Sequence, residues 1–110
     1  MAIYLVELRY NVDRDGREQA NPAHVEYLRK LTEDGVLKLG GPLNGENSGL
    51  LLYEASDRTH LESILAEEPY LLAGLVAETL VREWKPGKGQ WAPDASTNNK
   101  ALEDGKVGAA

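Results

Sequence analysis

Residues 36–56 read VLKLGGPLNGENSGLLLYEAS. Two apolar runs, VLKLGGP and GLLLYEAS, flank LNGENSG, whose Asn44-Gly45 step is a strong tight-turn signal. The reading is a strand, a turn and a second strand running back. Helical periods lie on either side. Upstream, NPAHVEYLRKL (Asn21–Leu31) sets His24, Tyr27, Leu28 and Leu31 at i, i+3, i+4 and i+7, one apolar stripe. Asn21-Pro22 reads as cap and first helical position, the helix runs from about Pro22 to Asp34, and Gly35 suits its left-handed end. Downstream, Ser56 or Asp57 caps a second helix whose stripe is Leu61, Ile64 and Leu65. Pro69 is expected to end it, because the ring cannot continue the turn.

A further strand is expected toward each end of the sequence. Over residues 2–10, Tyr4, Val6, Leu8 and Tyr10 share one face and Ile3 and Leu5 the other. NVDRDGREQ then reads as a polar loop turning at Asp15-Gly16. In LVAETLVREW, Leu75 to Trp84, simple alternation puts Leu75, Ala77, Thr79 and Val81 on one side, and Val76, Leu80 and Trp84 on the other. The order is β-α-β-β-α-β. It predicts an α+β, ferredoxin-like fold: a four-stranded antiparallel sheet with both helices on one face, its crossovers right-handed.

That arrangement leaves a sheet face uncovered, yet strands one, three and four are apolar on both faces. An open apolar face of that size is unusual on a soluble monomer. Either the C-terminal tail covers it, or two sheets pack face to face in a homodimer, a barrel-like core. The second is favoured, since few other apolar elements remain. The expected domain is 1–84. Residues 85–110 are polar and punctuated by Gly and Pro, and read as a tail that Trp91 could anchor on a neighbouring surface or on the dimer partner.

Composition narrows the function. The chain has 110 residues, enough for one ordinary domain. With 42% hydrophobic residues it can build a core, and with 12 basic against 18 acidic residues its formal charge is -6. That sign opposes nucleic acid and anionic membrane surfaces as partners. The absence of cysteine excludes a disulfide scaffold, a thiolate nucleophile and a zinc-thiolate site. MAIYLVELRY carries Glu7 and Arg9 early and lacks a cleavage site, so the expected location is cytoplasmic. GGPLNG lacks the lysine and Ser/Thr of a phosphate-binding loop, and no Gly-x-Ser-x-Gly elbow is present. No cofactor and no metal site are expected.

Four pieces in order carry a family likeness: HVEYLRKLTEDGVLKLGGPL, SGLLLYEASD, EEPYLLAGLV and the closing REW. Together they resemble the YciI-like (YCII-related) family over residues 1 to about 84. The resemblance implies a dimeric α+β barrel with a His-Asp pair as acid/base centre. By motif position the histidine is His24. The family aspartate falls on Glu68 of EEPY, and Asn21 stands where many members carry arginine. Some relatives are implicated in removing HCl from chlorinated hydroxyhydroquinones.

The residues themselves allow such a pair. Glu68 stands at i+7 from Leu61, so it continues the second helix's stripe into the layer that His24 faces. A histidine oriented by a carboxylate can exchange a proton near neutral pH. On the residues alone the favoured reading is a core histidine satisfied by a carbonyl, with Glu68 solvated at a helix end; the resemblance reverses this for His24 and leaves both readings open for Glu68. Among expected substrate contacts, Ser48 could donate to a substrate oxygen, Tyr70 could line a pocket and Arg9 could meet a substrate anion. His60 is expected to be exposed. The functional expectation is a cofactor-free acid/base enzyme, a dehydrochlorinase-type lyase or an isomerase acting on a hydroxylated aromatic or lactone ring. The alternative is a non-catalytic, dimeric small-molecule-binding or accessory module.

Overall fold

The computed structural model describes residues 1–92. Its elements run β1 (Ala2–Tyr10), α1 (Arg14–Arg17), α2 (Asn21–Glu33), β2 (Leu37–Pro42), β3 (Ser48–Ala55), α3 (Arg58–Ala66), α4 (Pro69–Leu72) and β4 (Val76–Trp84). All sheet pairings are antiparallel, in the order β2-β3-β1-β4. This is the expected ferredoxin-like fold, with two short helices added. Among the described residues no helix is long and apolar enough to cross a membrane.

The hairpin that decides the topology closes as its turn residues require. Leu43 to Glu46 form a turn, Glu46 N–H donating to Leu43 O at 3.1 Å, and Gly45 takes φ +80° at its third position. A side chain there would be strained. Gly35, at φ +75°, ends α2 as expected.

The core lies between the sheet and the helices. Tyr4, Val6 and Leu8 of β1 and Leu51, Tyr53 and Ala55 of β3 meet Leu31 of α2 and Leu61, Ile64 and Leu65 of α3. Each large apolar side chain buried there contributes roughly 1.5–3 kcal/mol. Tyr27 Oη of α2 donates to Ile64 O of α3 at 2.6 Å and fixes the two main helices side by side.

Several local readings are corrected. Asp15-Gly16 is not a loop turn: Asp13 caps α1, its carboxylate accepting from Gly16 N at 2.8 Å. The cap of α2 is Ala20 rather than Asn21, because the Asn21 side chain is used elsewhere. Asp57 caps α3, accepting from His60 N at 2.8 Å. Pro69 does not end a helix but opens α4. Proline is as suited to a helix's first position as to the residue after its end. Between Arg9 and Tyr10 the β1-β4 register shifts, so Tyr10 pairs with Val76. The irregularity turns Val76 onto the helix side, where it packs on the core, and only Leu80 and Trp84 keep the predicted outer face. His60 is half-buried, its Nδ1 accepting from Ser56 N at 3.0 Å.

The outer face carries Ile3, Leu5, Leu50, Leu52 and Leu80, all half-buried, together with Leu39 and Trp84 at 53% and 47% exposure. Residues 86–92 pass along one end of it, where Trp91, itself 81% exposed, shares a groove with Ile3, Leu39, Leu52 and Trp84. The rest of the predicted tail, 93–110, lies outside the described residues.

Candidate active site

The site begins with Glu68, which has no exposed surface. It stands in the extended residue before Pro69 and caps α4: Oε2 accepts from Tyr70 N at 2.7 Å and Leu71 N at 3.2 Å. Two backbone donors at a helix start fix that oxygen in place. The other oxygen, Oε1, meets His24 Nδ1. The glutamate therefore spans the distance to the histidine.

His24, on the inner stripe of α2, keeps 12% of its side chain exposed. Its ring stacks on Tyr70, centroids 3.8 Å apart and planes 11° from parallel. Held by Glu68 on one edge and Tyr70 on one face, the imidazole has a single orientation. An ionised Glu68 places the ring proton on Nδ1, and Nε2 then carries the free lone pair.

Tyr70 is positioned from three sides. Its hydroxyl donates to Asn21 Oδ1 at 2.6 Å, its ring meets Tyr10 edge-on at 5.5 Å, and its backbone is tied to Glu68. Burial pushes the Tyr70 and Tyr10 hydroxyls above the usual tyrosine range, while the nearby Arg17 pulls both back. Gly49 of β3 makes room for Tyr10: a Cβ there would stand 2.8 Å from the tyrosine oxygen. The guanidinium of Arg17 lies over the Tyr10 ring, 4.0 Å from its centroid.

These groups wall a cavity of about 360 Å³, lined among others by Tyr10, Arg17, Asn21, His24, Ser48 and Tyr70. That is room for a compact ring. It adjoins a larger recess of about 770 Å³ reached past Arg17, Asn21, Pro42 and Tyr70.

Of the predicted site residues, the structure brings His24, Glu68, Ser48 and Tyr70 together. Ser48 is buried in the cavity wall, at the start of β3. Arg9 is elsewhere. It lies on the outer face with Ile3 and Leu5, and Glu7 and Glu78 take its charge at 2.9 and 3.4 Å. Strand parity gives the reason: position 9 faces away from position 10. The cation at the cavity is Arg17, which the sequence alone places in a polar loop. Tyr10 figures in the sequence only on an apolar strand face, and Asn21 as a cap and as the position where many family members carry arginine.

Comparison with known proteins comes to the same region of the chain. The YCII-related domain matches residues 2–85. Among solved structures, 5-chloro-2-hydroxyhydroquinone dehydrochlorinase from Burkholderia phenoliruptrix AC1100, in complex with 2,5-dihydroxybenzoquinone, is 26% identical. Its TM-score is 0.69, and the match covers 77% of this chain and 95% of that one. An antibiotic biosynthesis monooxygenase is 13% identical at a TM-score of 0.54, covering 76% and 96%, and is alike in fold alone. A search of curated proteins gives no match. With the domain matched over most of its length, the chain belongs to the YCII-related family.

Proposed function

We propose that the protein is an acid/base enzyme that removes HX from a hydroxylated aromatic ring, with His24 as the proton-transfer group and Glu68 as the residue that orients it. One observation carries the reading: a fully buried carboxylate, fixed by two backbone N–H groups, meets Nδ1 of a histidine that lines a ring-sized cavity. The likeness to a dehydrochlorinase supports the same class of reaction.

The geometry supports a stepwise route of proton transfers. Nε2 accepts a ring hydroxyl proton, and the imidazolium that forms is steadied by Glu68. The oxygen's electron pair moves into the ring, and the ring carbon bearing the leaving group takes a proton back. Loss of a second hydroxyl proton then drives electrons through the ring and expels halide with its bonding pair. The products are a quinone, halide and a proton, so no outside oxidant enters. Isomerisation of a lactone ring would use the same proton transfers without the leaving group. Ser48 and Tyr70 bound the space in which the ring would sit.

The proposal includes a homodimer through the outer sheet face. The half-exposed Leu39 and Trp84 beside Ile3, Leu5, Leu50 and Leu52 support it.

The test is chloride release and quinone absorbance from a panel of chlorinated hydroxyhydroquinones, with lactones assayed alongside, for wild type and His24→Ala. The expected result is turnover by wild type, reduced about 100-fold or more in the variant. Equal turnover by both proteins ends the role of His24.

A further inference from the structure

Arg17 is the cation in the cavity wall, and the chemistry above leaves it without a task. It is half-buried, and its Nη1 donates to Val12 O at 3.1 Å and to Asn47 Oδ1 at 2.8 Å. Asn47 is itself braced, its Nδ2 donating to Val12 O at 2.9 Å. The guanidinium plane rests on Tyr10. All these partners are neutral. Among the described residues Arg17 forms no ion pair, whereas Arg9 and Arg29 each hold two carboxylates. A guanidinium held rigidly by neutral acceptors and an aromatic face keeps its charge uncompensated and its geometry fixed.

Its placement relative to the base is also fixed. His24 stacks on Tyr70, Tyr70 meets Tyr10 edge-on, and the Arg17 guanidinium lies over the Tyr10 ring, 4.0 Å from its centroid. Cation and imidazole are thus linked through two packed tyrosine rings, and both line the same cavity. Glu46 lines it too, but is exposed, where water and salt screen its charge. Arg17 also draws the Tyr10 and Tyr70 hydroxyls down, against the effect of burial.

From this arrangement we infer that Arg17 is an anion-recognition residue, and that the cavity selects compact rings already carrying one anionic oxygen, a phenolate or vinylogous carboxylate, over neutral rings of the same shape. Arg17 holds the anionic oxygen while a further ring oxygen faces His24. The inference rests on the proposed function for the chemical steps after binding, but the selection by charge is an equilibrium property.

The experiment is calorimetric titration with 2,5-dihydroxybenzoquinone, an anion at neutral pH, and with its neutral dimethyl ether. Wild type is expected to bind the anion at least ten-fold tighter, with the preference shrinking as salt rises. Arg17→Gln should lose that preference while binding the ether as wild type does, a change in selectivity that a merely structural role for Arg17 would not produce. Arg17→Lys, which keeps the charge without the fork, should retain part of it, and stands in if the glutamine variant fails to fold. Arg14→Gln, at the outer recess only, should behave as wild type. Equal binding of both rings by wild type, or an unchanged preference in Arg17→Gln, overturns the inference. The two readings separate cleanly: a preference for the anion in a protein that turns over no ring sinks the enzyme and leaves the anion site. His24-dependent turnover with no charge preference does the reverse.

Discussion

Glu68→Gln distinguishes an orienting carboxylate from a purely structural one, because the substitution keeps shape and reverses one hydrogen bond. Two backbone N–H groups, of Tyr70 and Leu71, point at Oε2. In the glutamine variant only the carbonyl oxygen can occupy that place; the amide NH₂ would leave three donors facing one another. The NH₂ must therefore take the position of Oε1 against His24 Nδ1. It can only donate, so Nδ1 has to accept, and the ring proton moves to Nε2. The group that faces the cavity is then a donor and no longer a base. General acid/base contributions of about 10²–10⁴ are at stake, so kcat should fall by that order.

Stability should move much less. Hydrogen bonds to a charged group contribute about 1.5–3 kcal/mol and those between neutral groups about 0.5–1.5. Replacing the former by the latter costs roughly 1 kcal/mol for each side of the carboxyl, partly offset because a fully buried charge is no longer held away from water. A net loss of about 1 kcal/mol corresponds to a fall in Tm of about 4–8 °C. The assays are turnover of whichever ring the panel identifies, thermal unfolding, and the ¹⁵N shifts of His24, which report the tautomer without needing a substrate. A Glu68→Gln protein with wild-type kcat and the proton still on Nδ1 would refute the reasoning. A large fall in Tm with the tautomer unchanged would refute it equally, by making Glu68 a cap and nothing more.

Two further outcomes are expected. Tyr53 is fully buried and its hydroxyl has no hydrogen-bond partner among the described residues, so Tyr53→Phe should leave stability unchanged or raise it by about 1 kcal/mol, read by urea unfolding. Burial, with Glu68 adding, pushes that hydroxyl well above its ordinary value. The unfolded chain therefore loses the proton first, the stabilising difference is whole below about pH 10 and declines as pH climbs beyond it, and Tyr53→Phe should flatten the alkaline slope; an identical slope counts against the assignment. On the outer face, the proposed dimer predicts that wild type sediments as a dimer and that Leu50→Glu yields a folded monomer. A variant that stays dimeric moves the interface off the sheet.

What the sequence revealed was local. The hairpin was legible because Asn44-Gly45 and the flanking apolar runs specify it within a few residues, and the helices because their stripes are periodic. The register shift opposite Tyr10 was not legible, since alternation along β4 carries no mark of where one residue is skipped. Simple alternation puts Val76 on the wrong face for that reason. Arg9 and Arg17 make the same point at the site. Parity along β1 already turned Arg9 away from the inner face. Arg17, by contrast, sits in a segment with no period, and only the packing of α1 over Tyr10 brings it to the cavity.

Glu68 shows why helix boundaries matter to the chemistry. Read as the last residue of a long helix, it sits on a stripe and points at the core through periodicity alone. In fact α3 has ended at Ala66, and Glu68 is held by the N-terminus of the next helix. Capping residues are usually short (Ser, Thr, Asp or Asn) because the oxygen has only to reach its own helix's N–H groups. A glutamate in that role has a methylene to spare, and here the extra length carries its second oxygen to His24. The same carboxylate thus sets the start of α4, which places Tyr70 under the histidine ring, and the hydrogen bond that sets the histidine's tautomer. Tyr70 and His24 are consequently not independent parts. Any change that shifts the start of α4 should move the stacked pair and the ring proton together, which ties the shape of the cavity to the chemistry at its wall.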